Sequence, residues 1–306
     1  MSRIVSFLPS ATEILYELGL GNQILAATHE CDYPQQAKSI PRVIHPSFNP
    51  DILSSAEIDK KIVELAKSNS DIYILDENIL KTAKPDLIIA QGICDVCSPF
   101  TKEITKAVSI LQYKPDILVL DPKNLSDILD NITEIGKKVN QEQKARELVS
   151  ILQQRINYIK EKPVKSRPKV LCLEWLDPFF TAGHWVPEMV DIAGGINGIS
   201  STGEKSRKMT LDEVFKFDPD IIVLIPCGFD LKRTISEYEK LQDSKLWRTV
   251  PAVNQGQVYA VNASDYFTKP GPRTITGLEI LAKIIRPDTF SDIVLPKDSL
   301  KRLDLE

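Results

Sequence analysis

Two short segments of the chain combine side chains that can bind metals or carry redox chemistry. The segment HECDYP contains His29, Cys31 and Asp32, and Cys94 and Cys97 form a CxxC pair before a predicted helix near Thr101. An imidazole beside a thiol and a carboxylate could coordinate a metal, or His29 could be a hydrogen-bonded turn residue. The CxxC pair is open to several interpretations: a redox pair activated by a helix dipole, half of a zinc site, lining of a ligand site, or two buried apolar residues.

The sequence has few signs of catalysis. It contains no GxSxG nucleophile elbow, P-loop, HExxH or GxGxxG motif, and these motifs carry much of hydrolytic, phosphoryl-transfer and hydride-transfer chemistry. Most carboxylates fall in predicted helices or before predicted strands, where they act as caps or solvated side chains. We therefore predict a protein that is not an enzyme, with no catalytic residues and no catalytic cofactor.

Short apolar runs alternate with helical patterns along most of the 306 residues. This alternation is typical of βαβ units with parallel sheets. The predicted strands are 4–8, 24–28, 86–90, 117–120, 170–174, 221–225 and 258–261, and the predicted helices are 11–18, 104–111, 187–193, 235–241 and 274–285.

The two halves of the chain resemble each other. KPDLIIAQG follows a helical segment in the first half and DPDIIVLIP follows one in the second, at an offset of 134 residues that aligns Asp86 with Asp220. Each half also opens with a strand, a proline-containing loop, a helix and a glycine. Two matches in the same order indicate duplicated lobes.

Between the lobes, apolar positions spaced by three and four residues run from Leu125 to Ile159, with a polar break at Gln141. We predict an N-terminal α/β lobe at 1–121, a single long linking helix at 122–162, a C-terminal α/β lobe at 163–295 and a tail at 296–306. Two lobes joined in this way predict a ligand cleft between them.

Open α/β sheets bind ligands at the carboxyl ends of their strands. Aromatic, histidine and cysteine side chains concentrate after the predicted strands, and this composition suits a large planar ligand with apolar faces and a polar rim. The candidate ligand-binding residues are His29, Cys31, Asp32, Tyr33, Gln91, Cys94, Cys97, Trp175, Phe179, His184, Trp185, Phe229, Asp265, Tyr266 and Phe267.

Charge and cysteine content exclude several classes of protein. The formal net charge is −4 with basic residues interspersed among acidic ones, so we expect no nucleic-acid partner. No apolar run reaches the roughly 18 residues of a membrane span, and we expect no leader before the first strand. Five cysteines without a disulfide spacing favour a reducing compartment, so we expect a cytoplasmic monomer, or an extracytoplasmic one if a leader has been removed.

Several of these segments resemble the vitamin B12-binding proteins of ABC importers, within the helix-linked class of substrate-binding proteins that also carry siderophores and haem. The matching segments are RIVSFLPSATEILYELG, THECDYPQQAKSI, KPDLIIAQ, PFFTAGHWVPEMVDIAGG, DPDIIVL and DYFTKPGPRTITGLEIL. The resemblance implies two Rossmann-like lobes with parallel sheets joined by one long backbone helix, as in class III periplasmic binding proteins.

The resemblance also implies roles for individual residues. Tyr33, Trp175, Phe179, Tyr266 and Phe267 would contact the corrinoid. The cobalt could accept an imidazole, which we assign first to His29 and otherwise to His184. Family members dock onto permease arginines through one acidic residue in each lobe; the positions here are Asn78 and Asp212, with Glu77 and Glu213 beside them.

The function predicted from the sequence is non-catalytic binding of cobalamin or another corrinoid, with an ABC permease as a possible partner. An iron-chelate or haem-binding protein is the first alternative, although the loops after the strands contain almost no basic residues for anionic ligands. A chelatase-like tetrapyrrole enzyme is the second.

Overall fold

Eleven strands in the described part of the chain form two separate sheets, one in each half. The structure is a computed structural model that describes residues 2–92 and 101–304. It divides into an N-terminal unit of Met1–Leu53, Lys60–Pro122 and Asp127–Ser150 and a C-terminal unit of Ser54–Asp59, Lys123–Ser126 and Ile151–Glu306.

The N-terminal sheet is mainly parallel. Its strands are β1 (Ile4–Ser6), β2 (Ile24–Thr28), β3 (Arg42–Pro46), β4 (Tyr73–Leu75), β5 (Leu87–Gln91) and β6 (Asp116–Leu120), and its helices are α1 (Pro9–Glu17), α2 (Ser55–Lys67), α3 (Glu77–Ala83) and α4 (Thr101–Leu111). The strand order is β4-β3-β2-β1-β5-β6, and only the edge strand β4 pairs in the antiparallel sense. Fully buried side chains such as Val5, Ile88 and Leu80 form the core between sheet and helices.

Two helices follow, α5 (Leu125–Lys138) and α6 (Glu142–Lys160). The prediction of one continuous helix over 122–162 is therefore wrong. Asn140 takes a left-handed conformation with φ +56, and the Gln141 N–H donates to Gly136 O at 2.7 Å. A Cβ atom at Gly136 would collide with Ala145 Cβ, so the absence of a side chain at this position permits a sharp bend that brings the two helices together.

The C-terminal sheet has three parallel central strands and an antiparallel strand at each edge. Its strands are β7 (Val170–Leu176), β8 (Phe179–Thr181), β9 (Ile221–Leu224), β10 (Val258–Val261) and β11 (Leu300–Leu303), and its helices are α7 (Val186–Ala193), α8 (Leu211–Phe217), α9 (Leu231–Gln242), α10 (Pro251–Asn254), α11 (Ala263–Tyr266) and α12 (Thr274–Ile285). The strand order is β11-β10-β9-β7-β8. The segment 296–306, predicted as a tail, contributes β11, which pairs antiparallel with β10.

The predicted duplication is visible in the backbone. Helices α3 and α8 are both seven residues long and start 134 positions apart. Each begins after a side-chain cap, Asp76 or Thr210, that accepts a hydrogen bond from a first-turn N–H. Each ends at a left-handed residue, Lys84 or Asp218, before the next parallel strand. Two sheets with parallel central strands, flanked by helices, confirm the predicted α/β fold class.

Arg286 caps the C-terminal ends of two helices in the C-terminal unit. Its guanidinium donates to Ala193 O at the end of α7 and to Ile159 O and Lys162 O at the end of α6, at 2.8, 3.3 and 3.2 Å. Because a cation at a helix C-terminus satisfies orphan carbonyls and opposes the helix dipole, one buried side chain stabilises both ends. Burial lowers the pKa of Arg286.

Candidate functional site

The aromatic residues predicted to bind a ligand fall at the carboxyl ends of the C-terminal strands. Trp175 lies near the end of β7, and Phe229 follows β9 in a short loop. Their ring centroids are 5.2 Å apart with the planes tilted by 58°. The Arg233 guanidinium lies over the Phe229 ring, with its carbon 3.9 Å from the centroid. We call Trp175, Phe229 and Arg233 the aromatic cluster.

Backbone hydrogen bonds hold the loop that carries Phe229. The Cys227 N–H donates to Glu174 O at 3.1 Å, and the Ser264 N–H donates to Phe229 O at 2.9 Å. Gly228 has φ +76, a conformation that favours glycine. The loop is thereby tied to β7 on one side and to α11 on the other, and this places Phe229 beside Trp175.

Trp175 is half-buried, and its indole is held by a polar contact. Nε1 donates to Ser55 O at 3.1 Å. Ser55, the first residue of α2, donates in turn to Glu237 Oε2 through its hydroxyl at 2.7 Å and its N–H at 3.2 Å. Lys240 Nζ lies 2.6 Å from the other Glu237 oxygen. These contacts fix the orientation of the indole while part of its surface stays exposed.

Other aromatic residues that were predicted to contact the ligand pack inside the C-terminal unit. Trp185 is 4% exposed and donates from Nε1 to Phe267 O at 2.9 Å, and Phe267 is 1% exposed. Tyr266 is also buried, and the ring of half-buried Phe179 packs 5.3 Å from that of core Trp247. Trp185, Tyr266 and Phe267, and Phe229 at 2% exposure, are thus buried within their own unit, and direct ligand contact by these side chains stays a prediction.

Two polar residues predicted to bind the ligand also make contacts within the C-terminal unit. The Asp265 carboxylate lies 2.9 Å from Arg273 Nη1 and accepts from Asn262 Nδ2 at 2.8 Å. His184 is buried in a left-handed conformation with φ +56, and its ring centroid lies 5.6 Å from that of Trp185. Packing against Trp185 makes His184 the less accessible of the two imidazoles proposed for cobalt.

In the N-terminal unit, His29 follows β2 and lines a hollow of about 600 Å³. Its ring centroid lies 5.8 Å from that of Tyr73, and its Nε2 lies 3.9 Å from Glu30 Oε1. His45 lines the same hollow, together with Phe48, Asn49 and Asp51 among others. The structure thus groups His29 with a histidine that the sequence pattern did not select.

The remaining N-terminal candidates are dispersed. Cys31 is 1% exposed and its Sγ accepts from Thr12 Oγ1 at 3.1 Å, so it occupies a core position, and its contact with a ligand stays a prediction. Asp32 and Tyr33 are exposed, and Gln91 is half-buried at the end of β5. Cys94 and Cys97 lie outside the described residues.

The acidic residues proposed for transporter docking differ in their surroundings. Glu213 completes a capping box with Thr210 at the start of α8 and lies 2.8 Å from Arg207 Nη1. The hydrogen bonds from Thr210 and Arg207 lower the pKa of Glu213. Glu77 pairs with Lys81 at 3.0 Å. Asp212 is exposed on the first turn of α8, so it is the best placed of the three to meet a partner.

Two features of the described residues bear on metals and membranes. Within 2–92 and 101–304, no cluster of three or more His, Cys, Asp or Glu side chains is arranged to hold a metal ion. None of the described helices combines the length and apolar character that crossing a bilayer requires.

Sequence reasoning missed three contributors to these sites. Arg233 lies in α9 and not in a loop after a strand, His45 stands in a stretch without a clear pattern, and Ser55 begins a helix that was not predicted. His45 could have been selected from the sequence only if the residues around it had shown a regular strand pattern. The contact between Ser55 and Trp175 joins positions 120 residues apart, and no local spacing encodes it.

The comparisons with known proteins agree with this architecture. The model of the periplasmic binding protein family matches residues 4–264, so the chain belongs to that family. It is 29% identical over 300 residues to YvrC, an ABC transporter substrate-binding lipoprotein of Bacillus subtilis, covering 95% of this chain and 82% of that one. It is 25% identical over 285 residues to the vitamin B12-binding protein of Vibrio cholerae, covering 90% and 86%.

A solved structure supports the fold independently. The periplasmic haem-binding protein RhuT from Roseiflexus superposes with a TM-score of 0.68 at 19% identity, covering 94% of this chain and 99% of that one. Fold and family together define the chain as a substrate-binding protein of the ABC-transporter type, a class that implies a ligand and a permease and whose members are generally not enzymes.

Proposed function

We propose that this chain binds a corrinoid, cobalamin in the first place, and presents it to an ABC permease without transforming it. The B12-binding relative from Vibrio cholerae aligns over most of both chains. The resemblance of the segments THECDYP and PFFTAGHWVPEMVDIAGG to the B12-binding group supports the same ligand.

The observation that carries the proposal is the aromatic cluster of the C-terminal unit. Trp175 is held by Ser55 and Phe229 but stays half-buried, so a flat indole surface is fixed in place before a ligand arrives. A corrin has broad apolar faces, and rigid aromatic side chains bury such faces with little loss of side-chain entropy.

Haem is the second candidate, and Arg233 is the observation that favours it. A guanidinium beside Phe229 could pair with a carboxylate of an anionic tetrapyrrole. Arg233 lies in α9, outside the loops after strands that contain almost no basic residues. The chelatase-like alternative gains no comparable support.

Calorimetric titration with cyanocobalamin, haemin and a ferric hydroxamate tests the ligand class. We expect cyanocobalamin to bind one to one and more tightly than the other two. Trp175→Ala should weaken binding by about 2 kcal/mol or more, as for a central aromatic contact, which is roughly thirtyfold in affinity. Tyr158→Ala, an exposed aromatic in α6 of the same unit, is the matched control.

Fluorescence adds a check on the site. The three tryptophans differ in burial, and Trp175 is the one with substantial exposed surface. Ligand quenching should therefore largely disappear in Trp175→Phe. Tight haemin binding with no cyanocobalamin binding would replace the corrinoid by haem as the ligand.

Docking to a permease is a separate part of the proposal. Asp212 is the acidic residue we assign to that contact, because Glu213 is engaged as a cap. Asp212→Arg should abolish association with the permease in nanodiscs and leave cyanocobalamin affinity unchanged. Unchanged association would remove Asp212 from the interface.

A further inference from the structure

Two side chains of α9 reach the surroundings of Trp175. Arg233 and Glu237 are four positions apart in that helix, so they share one of its faces. The Arg233 guanidinium carbon lies 3.9 Å from the centroid of the Phe229 ring, and Glu237 Oε2 accepts from the Ser55 hydroxyl at 2.7 Å. Phe229 and Ser55 each contact the Trp175 indole, so one face of α9 supports it at two points. All of these residues belong to the C-terminal unit.

Ser55 links Glu237 to the indole. Its hydroxyl and its N–H both donate to Glu237 Oε2, at 2.7 and 3.2 Å, and its carbonyl oxygen accepts from Trp175 Nε1 at 3.1 Å. Lys240 Nζ lies 2.6 Å from the other oxygen of Glu237. Ser55 and Glu237 are both buried, at 2% and 7% exposure. Because hydrogen bonds to a carboxylate are stronger than those between neutral groups, Glu237 holds the Ser55 backbone where its carbonyl meets the indole.

The Trp175 indole is also restrained by its contact with Phe229. The two ring centroids are 5.2 Å apart, and Phe229 is 2% exposed, so its ring cannot move without disturbing the packing around it. A tryptophan side chain turns about two torsions. A packing contact alone leaves the indole some freedom to turn about them, whereas a hydrogen bond from Nε1 selects one orientation.

We propose that Glu237 is a positioning residue of the ligand site: acting through Ser55, it holds the Trp175 indole in the orientation that receives the ligand. This inference rests on the proposed function and adds to it a residue that makes no ligand contact itself. Without Glu237, the indole must be ordered at the moment of binding. Ordering one side chain at an interface weakens binding by about two- to tenfold.

A purely structural role for Glu237 leads to different expectations. In that case, loss of the carboxylate lowers the free energy of unfolding, but the protein that remains folded binds its ligand with the original affinity. A positioning role predicts instead that affinity falls, and that the size of the loss depends on the indole at position 175. A double-mutant cycle measures this dependence.

Calorimetric titration with cyanocobalamin of wild type, Glu237→Ala, Trp175→Phe and the double variant tests the inference. Phenylalanine keeps an aromatic ring at position 175 but has no Nε1 to meet Ser55. We expect Glu237→Ala to weaken binding by about fivefold in the wild-type background and by less than about twofold in the Trp175→Phe background. Glu239→Ala, exposed on the same helix, is the matched control and should leave affinity unchanged.

Acrylamide quenching of fluorescence gives a second readout that needs no ligand. Trp185 and Trp247 are 4% and 0% exposed, so quenching of the free protein reports mainly on Trp175. Release of the indole in Glu237→Ala should raise the quenching constant, and the rise should be absent in the Trp175→Phe background. Ser55→Ala removes the shorter hydrogen bond to Glu237 and should show both effects to a smaller extent, so it replaces Glu237→Ala if that variant does not fold.

Thermal melting shows whether each variant is folded. An affinity that is unchanged in folded Glu237→Ala, or a loss of equal size in both backgrounds, overturns the inference, and so does unchanged acrylamide quenching. Failure of wild type to bind cyanocobalamin overturns the proposed function. Quenching of the free protein then still decides whether Glu237 holds the indole.

Discussion

Asp86 and Asp220 occupy equivalent positions in the two units. The Asp86 carboxylate accepts a hydrogen bond from the Arg3 N–H at 2.9 Å, and the Asp220 carboxylate accepts one from the Lys169 N–H at 2.7 Å. Arg3 and Lys169 directly precede β1 and β7, the first strand of each sheet. Each aspartate thus ties the start of that strand to the turn before the neighbouring strand, β5 or β9.

The basic side chains strengthen the same junction. Arg3 Nη2 donates to Ala83 O at 2.6 Å at the end of α3, and Lys169 Nζ donates to Phe217 O at 3.1 Å at the end of α8. The Pro-Asp pair that recurs in the two halves of the sequence therefore marks the place where the end of a helix, the turn after it and the first strand of the sheet are hydrogen-bonded together. It does not mark a ligand contact.

Asp86→Ala and Asp220→Ala should each lower the free energy of unfolding by about 1 kcal/mol, the usual contribution of one such hydrogen bond. Urea unfolding would measure the loss. Asp288→Ala, at an exposed position, serves as the control and should change stability by less than about 0.5 kcal/mol. Equal small effects in all three variants would show that the hydrogen bonds of Asp86 and Asp220 contribute nothing to the free energy of unfolding.

Much of the fold could be predicted from the sequence because its elements are strongly patterned. The limits of β2, β10 and α12 match the predicted 24–28, 258–261 and 274–285. The elements that were missed, β3, β4, β8, β11, α2, α10 and α11, are mostly short or half-exposed. Three of them, β4, β8 and β11, are edge strands of three or four residues, too short for an alternating apolar pattern to be recognised.

The candidate site was less predictable. Rules for strand ends located half-buried Trp175, but they also selected Cys31, Trp185, Phe229 and Phe267, which the structure buries. An aromatic residue after a strand can turn inward or outward, and the choice depends on neighbours far away in sequence. Trp185 turns inward because Phe267, 82 residues later, provides a carbonyl for its indole.

The break between α5 and α6 should be sensitive to the residue at position 140. Asn140 has φ +56, and most side chains other than glycine and asparagine lose about 1–2 kcal/mol in this conformation. Asn140→Ala should therefore destabilise the protein by about 1 kcal/mol, whereas Asn140→Gly should be close to neutral. Gln154→Ala, at an exposed position in α6, is the control. A more stable Asn140→Ala would indicate a continuous helix in solution.

The described cysteines should differ sharply in reactivity. Burial raises the pKa of Cys172 to about 12. Burial also raises the pKa of Cys31, in part offset by hydrogen bonds from Thr12 and Thr28. Cys227 is half-exposed. Since the thiolate is the reactive form, iodoacetamide at about pH 8, near the ordinary thiol pKa, should alkylate Cys227 in the native protein and spare the other two.

Peptide mass spectrometry reads the three sites separately. Alkylation of Cys31 and Cys172 should begin only when urea unfolds the chain. Rapid native labelling of Cys172 would show that β7 opens readily and that its thiol is not held in a stable core.

Glu237 should make stability depend on pH in the acid range. Burial alone raises the pKa of this carboxyl, but hydrogen bonds from Lys240 and Ser55 outweigh burial, so the net pKa lies below the ordinary 4.5. A carboxyl with a lowered folded-state pKa stabilises the protein fully above the unfolded-state value, and this contribution is lost as pH falls through the folded-state pKa.

Glu237→Gln should therefore cost about 2 kcal/mol near neutral pH, in the range for hydrogen bonds to a charged group. The difference from wild type should shrink as pH falls below about 4.5. Glu239→Gln, exposed on the same helix, is the matched control. Urea unfolding across this pH range measures both variants. A loss that stays constant down to the most acidic pH would mean that Glu237 contributes through shape and hydrogen bonding alone, and not through its charge.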